Sequence, residues 1–132
     1  MKGEDLYSIF LNLKSIATEK FPDLDVELFY ANNKNFPEER NFAMCSSKDE
    51  NGCSKILVSS KILNEDRNTV KALLMHELAH AAFFCANCTE HTESATDQLA
   101  EVIFGYKIYY DDRDVQTIKV TNKSVRPNYL PR

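Results

Sequence analysis

The chain has no basic run, no apolar stretch long enough to cross a bilayer, no internal repeat and no low-complexity segment. With a net charge of −4 and a pI of about 5.4, it carries no footprint for nucleic acid or an anionic membrane surface. A spanning helix needs about 20 consecutive apolar residues, and no such run is present. The opening M-K-G-E-D-L-Y-S-I-F turns acidic before any apolar core, so it does not read as a signal peptide. The expected location is therefore cytoplasmic. No stretch reads as a linker, and 132 residues suggest a single domain, 1–132. That length buries a core without staples.

What is present alternates helical and strand patterns. Leu6, Ile9, Phe10, Leu13, Ile16 and Ala17 recur at helical spacing over 4–20, and Pro22 ends that run. Asp25 to Ala31 alternates Val26, Leu28 and Tyr30 against Glu27 and Phe29, as a first strand would. A polar loop with Pro37 follows. Asn41 to Ser46 and Lys55 to Ser60 read as two more strands, joined by a turn carrying Asn51-Gly52 into an antiparallel hairpin. A helix is expected over 66–84, with Asn64, Asp66 or Thr69 as its N-cap. Cys85 to Thr92 breaks it, and another helix runs from Glu93 to about Tyr106. Val115 to Val120 reads as a short strand, and 118–132 as a polar, proline-containing tail. The fold class implied is α+β.

Residues 72–84 read A-L-L-M-H-E-L-A-H-A-A-F-F, apolar except at His76, Glu77 and His80. A helix apolar all round is buried, and ionisable groups in it are costly unless paired or metal-bound. His76 and His80 are four apart, so their imidazoles share one face and can bind a single Zn²⁺ at ~2.0–2.1 Å. Glu77 lies roughly 100° round the helix, at the edge of that face. There it can reach an activated water without being a ligand, as a general base does.

A catalytic zinc site needs a third protein ligand. Glu90, His91, Glu93, Asp97 and Glu101 follow His80. Glu93 is favoured, with His91 as the alternative metal ligand. Glu93 and Asp97 share a helix face continued by Ala100 and Phe104, and Ala95, Leu99, Val102 and Tyr106 form the opposite stripe, expected to face the core. Asp97 would accept the free N–H of a ligand histidine and fix its tautomer.

H-E-L-A-H at 76–80 followed by E-S-A-T-D at 93–97 resembles the gluzincins, and the short connection resembles the single-domain minigluzincins and the small zincin domains of phage and bacterial genomes. The resemblance covers roughly 55–106. It implies a zincin-like minimal domain: an N-terminal helix, a small three-stranded sheet, the H-E-x-x-H helix and a glutamate helix. It implies His76, His80 and Glu93 as zinc ligands, Glu77 as general base and Asp97 behind them. It also implies that the edge strand, here Lys55 to Ser60, pairs with an extended peptide or protein substrate. The function implied is zinc-dependent peptide hydrolysis, in which Glu77 moves a proton from the attacking water to the leaving amine. Gluzincins place a Tyr or His beside the oxyanion. Tyr106, Tyr109, Tyr110 and Tyr129 are available here, and no motif selects among them. Some minigluzincins are held latent by their own C-terminal segment, a role open to 118–132 lying against the edge strand.

Two rival readings stand beside this one. One is a regulatory protease with a single partner, like the phage-repressor proteases, although E-S-A-T-D lacks their E-x-E-A motif. The other is a non-catalytic, zinc-stabilised structural or binding module of a phage or mobile element. Cys45, Cys53, Cys85 and Cys88 leave three states open: a second, structural zinc, disulfides (Cys45–Cys53 across the hairpin) or free thiols.

Overall fold

A computed structural model describes residues 1–30, 42–110 and 118–122, with 107–110 and 118–122 described by backbone alone. The described fold is α+β, built on three α-helices and a small mixed sheet.

Helix α1 (Gly3–Lys20) buries Leu6, Ile9, Phe10, Leu13 and Ala17 on one stripe. The Lys2 N–H donates to the Asp5 carboxylate at 3.1 Å, closing the helix start. Glu4 and Asp5 at the start and Lys20 at the end suit the helix dipole. Strands β1 (Val26–Tyr30), β2 (Ala43–Cys45) and β3 (Ser54–Val58) form one sheet in the order β1-β3-β2. β2 and β3 pair antiparallel, as the hairpin signal predicts, and the Asp49 carboxylate ties the turn by accepting from Asn51 N–H (2.8 Å) and Cys53 N–H (3.0 Å). β1 pairs with β3 in parallel.

This topology corrects the edge assignment: the strand expected over Lys55 to Ser60 is the centre of the sheet, not its edge. Ser54, Ile56 and Val58 bury one face of β3, while Lys55 stays exposed and Leu57 half-buried on the other, and β3 is flanked by a strand on each edge. β1, with Glu27, Phe29 and Tyr30 exposed, and the three-residue β2 take the edges, where short or polar strands limit unwanted pairing.

A 3₁₀ turn (Ser60–Asn64) leads into α2 (Arg67–Cys85), the axis of the molecule. Of its three candidate caps, Asp66 takes the role, accepting from Thr69 N–H at 2.7 Å. Between Val70 and Ala82 only Lys71 and His80 keep partial exposure. α2 packs against α1, β2 and β3, and against the later elements α3 (Glu93–Phe104) and β5 (Ile118–Asn122). It ends in a Schellman turn: Cys88 N–H donates to Phe83 C=O (2.8 Å), Asn87 N–H donates to Phe84 C=O (2.9 Å), and Asn87 takes a left-handed φ of 63°. Lys48 clamps this turn through its 2.7 Å bond to the Asn87 side chain.

α3 (Glu93–Phe104) is capped by Thr92, whose hydroxyl accepts from Ala95 N–H. It stops at Gly105, which is left-handed with φ 79°. Its expected core stripe is corrected. Thr96, Asp97, Ala100 and Ile103 are the buried residues, while Val102 is 69% exposed and Tyr106 is also exposed. Because α2 is itself core, the face that carries Glu93 and Asp97 toward α2 is the face that must be buried. Tyr106 opens strand β4 (Tyr106–Tyr110) instead of closing the helix. β4 pairs antiparallel with β5 (Ile118–Asn122), so the start of the expected tail joins this hairpin and not β3. Residues 115–117 of the expected strand, and 123–132 of the tail, lie outside the described residues. No helix among the described residues is long and apolar enough to cross a membrane.

Candidate metal centre

His76 and His80 stand one turn apart on α2, and their Nε2 atoms are 3.1 Å apart. α3 crosses beside them and delivers Glu93 from its first position. One carboxylate oxygen of Glu93 lies 2.5 Å from His76 Nε2 and the other 3.4 Å from His80 Nε2. The donor atoms of His76, His80 and Glu93 all fall within 4.8 Å of one another, and they are the one such group among the described residues. Tetrahedral bonds of ~2.0–2.1 Å set ligand atoms about 3.3 Å apart, so small side-chain adjustments bring all three onto one ion. A set of two imidazole nitrogens and one carboxylate oxygen can hold a divalent metal ion.

Asp97 lies one turn beyond Glu93, and its carboxylate is 2.7 Å from His76 Nδ1. A carboxylate only accepts, so Nδ1 carries a proton, and in the neutral ring the Nε2 lone pair is left for a metal on the Glu93 side. His76 is 1% exposed and Asp97 7%, which shields this bond from water. The Glu93 side chain is 47% exposed, so the cluster opens to solvent on its side. Burial alone would raise the Glu93 carboxyl. With no cation in the cluster, His76 and His80 act on Glu93 as hydrogen-bond donors and positive charges, which outweighs burial and holds Glu93 well below the usual carboxylate range; a bound metal would take over that role.

Glu77 is buried next to His76. Burial pushes its carboxyl above the ordinary range; the imidazoles of His76 and His80 pull it down, and the Glu93 charge adds to the rise. Burial, with the Glu77 charge added to it, raises the thiol of Cys45 on β2, the edge strand that packs against α2.

Several expected site residues are placed elsewhere. His91, the alternative ligand, directs Nε2 at His80 Nδ1 (2.7 Å), on the side of that ring away from Glu93, and Nδ1 at Cys88 C=O (3.0 Å). It is not in the ligand group. The four cysteines are free thiols, and no cysteine group of metal-binding size forms among the described residues. Cys45 is registered opposite Ile56, so Cys53, three residues from that position, points to the other face, where the charges of Asp25 and Glu27 act on it. That register excludes a Cys45–Cys53 bond. Cys85 and Cys88 bracket the Schellman turn that ends α2, which accounts for their spacing without a metal. Tyr106 lines a separate groove with Arg67, Lys71 and Phe104, away from the three ligand residues. The side chains of Tyr109 and Tyr110, and all of Tyr129, lie outside the described residues.

Sequence reasoning missed the place of His91 behind His80. The signal that could have found it is Asn87, a residue suited to a left-handed helix end, which turns 88–92 back toward His80. Compared with protein-family models, curated proteins and solved structures, the chain matches none.

Proposed function

We propose that this chain is a zinc-dependent metallopeptidase with a gluzincin-like site. The observation that carries the reading is the convergence of His76, His80 and Glu93 beside a buried Glu77. His76 and His80 hold the metal through Nε2 and Glu93 through its carboxylate, while Asp97 orients His76. When bound, zinc supplies a Lewis acid for the scissile carbonyl and brings a water's pKa toward ~7. Glu77 takes a proton from the attacking water and delivers it to the leaving amine. A carboxylate pushed up by burial is a better base than an ordinary one, which suits this task.

The substrate is a peptide or protein. An extended segment would pair with a free sheet edge, and the edge beside Glu77 is β2, whose only partner among the described residues is β3. A purely structural zinc would be closed by four protein ligands and would have no use for Glu77. The open side of the cluster at Glu93 supports catalysis over that alternative.

The test is Glu77→Gln. The variant is expected to retain one zinc per chain and to lose hydrolysis of unfolded protein substrates by about 10²–10⁴-fold. Full turnover by the Gln variant would remove Glu77 from the mechanism.

A further inference from the structure

We propose that His91 is a positioning residue that sets the tautomer of His80 through a relay ending on the backbone carbonyl of Cys88. The inference rests on the metal-site reading above. Three links form the relay: His80 Nδ1 to His91 Nε2 at 2.7 Å, His91 Nδ1 to Cys88 O at 3.0 Å, and the Cys88 backbone held by the helix-ending turn.

The direction of the relay follows from its last member. A carbonyl oxygen only accepts, so His91 Nδ1 must carry the proton. In a neutral His91 the Nε2 is then an acceptor. His80 Nδ1 must donate to it, which leaves the His80 Nε2 lone pair free to face His76 and Glu93. With both rings neutral, each link has one satisfying arrangement, and that arrangement presents His80 Nε2 as the metal-binding nitrogen. Thr96 also lies near His80 Nδ1, its hydroxyl oxygen 3.5 Å away, and its hydroxyl proton is already given to Thr92 C=O at 2.8 Å. At that distance it is a poor substitute for His91.

Packing holds the relay in place. The His91 ring stacks on Phe83 with centroids 4.5 Å apart and planes 19° from parallel, and Phe84 meets it edge-on at 5.2 Å. Phe83 and Phe84 are also the residues whose carbonyls take the Schellman bonds. The turn that ends α2 and the aromatic seat of His91 are therefore one device. The two ligand histidines are oriented by different chemistry: His76 by a carboxylate on α3, and His80 by an imidazole on the connecting loop. A neutral acceptor on His80 adds no negative charge beside a centre that already has Glu77, Glu93 and Asp97.

The test compares His91→Phe, which keeps a ring to stack on Phe83 but offers no acceptor, with His91→Gln, whose amide oxygen can accept the His80 proton. The readouts are zinc affinity by competition with a chromophoric chelator, the neutral tautomer of His80 in the metal-free protein by ¹⁵N imidazole NMR, and the visible spectrum with Co²⁺. The wild type is expected to show His80 protonated at Nδ1. His91→Phe should lose that preference and bind zinc about 10–100-fold more weakly, with the same ligand set in the Co²⁺ spectrum. His91→Gln should recover most of both losses. Unchanged affinity and an unchanged His80 tautomer in His91→Phe would overturn the proposal. Loss of a nitrogen ligand from the Co²⁺ spectrum would also overturn it, by making His91 a ligand. If the wild type bound no zinc yet His80 kept its tautomer only when residue 91 could accept, the relay would stand and the metal reading would fall.

Discussion

At the scale of single residues, the site is a problem of lone pairs. His76 Nε2, His80 Nε2 and two Glu93 oxygens converge, and with the Nδ1 protons directed at Asp97 and His91 the neutral rings present those nitrogens as acceptors. Acceptors so arranged repel one another unless a cation lies among them. Asp97→Ala removes the group that orients His76 and is expected to weaken zinc binding about 10–100-fold, measured by chelator competition. Unchanged affinity would show that Asp97 only packs. H-E-x-x-H and E-x-x-x-D were legible in the sequence because each lies within one or two helical turns, where spacing alone fixes the face. His91 was legible as a nearby imidazole but not in its role. Whether it reaches the metal or the far side of His80 depends on the left-handed turn at Asn87, one backbone angle outside any periodic pattern.

At the scale of elements, α2 is both the core and the carrier of the site, so its integrity is a functional property. Leu74 is fully buried in its middle, and Leu74→Ala is expected to cost about 2–5 kcal/mol in denaturant unfolding, the range for a buried leucine that leaves a cavity. Its N-terminus gives a pH-dependent prediction. The Thr69 N–H bound to Asp66 holds that carboxyl below its ordinary value. A carboxylate depressed in the folded state stabilises the fold above its unfolded pKa, about 3.9, and loses that contribution as pH falls through the folded value. The Tm gap between wild type and Asp66→Ala should therefore be present at pH 7 and shrink below about pH 4. A gap that widened in acid would contradict the capping role. Helices were the legible elements: their caps, apolar faces and stops are local, and Asp66, Thr92 and Gly105 were all within reach of reading. Sheet order was not. The parallel pairing of β1 with β3 joins residues 28 positions apart, such as Val26 and Ser54, and nothing along the chain says which strand lies centrally. β4 was missed because aromatic Tyr106 fitted the period of the preceding helix until Gly105 reversed the backbone.

At the scale of the whole molecule, one ion would join α2 to α3 at the point where they cross, so metal and fold stability are linked. With free zinc at 100 times its dissociation constant, the holo protein gains about 2.7 kcal/mol, which for a chain of this size raises Tm by roughly 10 °C. Chelation should reverse that shift in a thermal melt, whereas a reducing agent should leave Tm unchanged because the four thiols are free. The most direct test of the central claim is X-ray absorption at the zinc edge of the metal-loaded wild-type chain. Two imidazole nitrogens with one or two oxygens at ~2.0–2.1 Å and no sulfur are expected. Sulfur scattering near ~2.3 Å, or a third imidazole, would contradict a centre made by His76, His80 and Glu93.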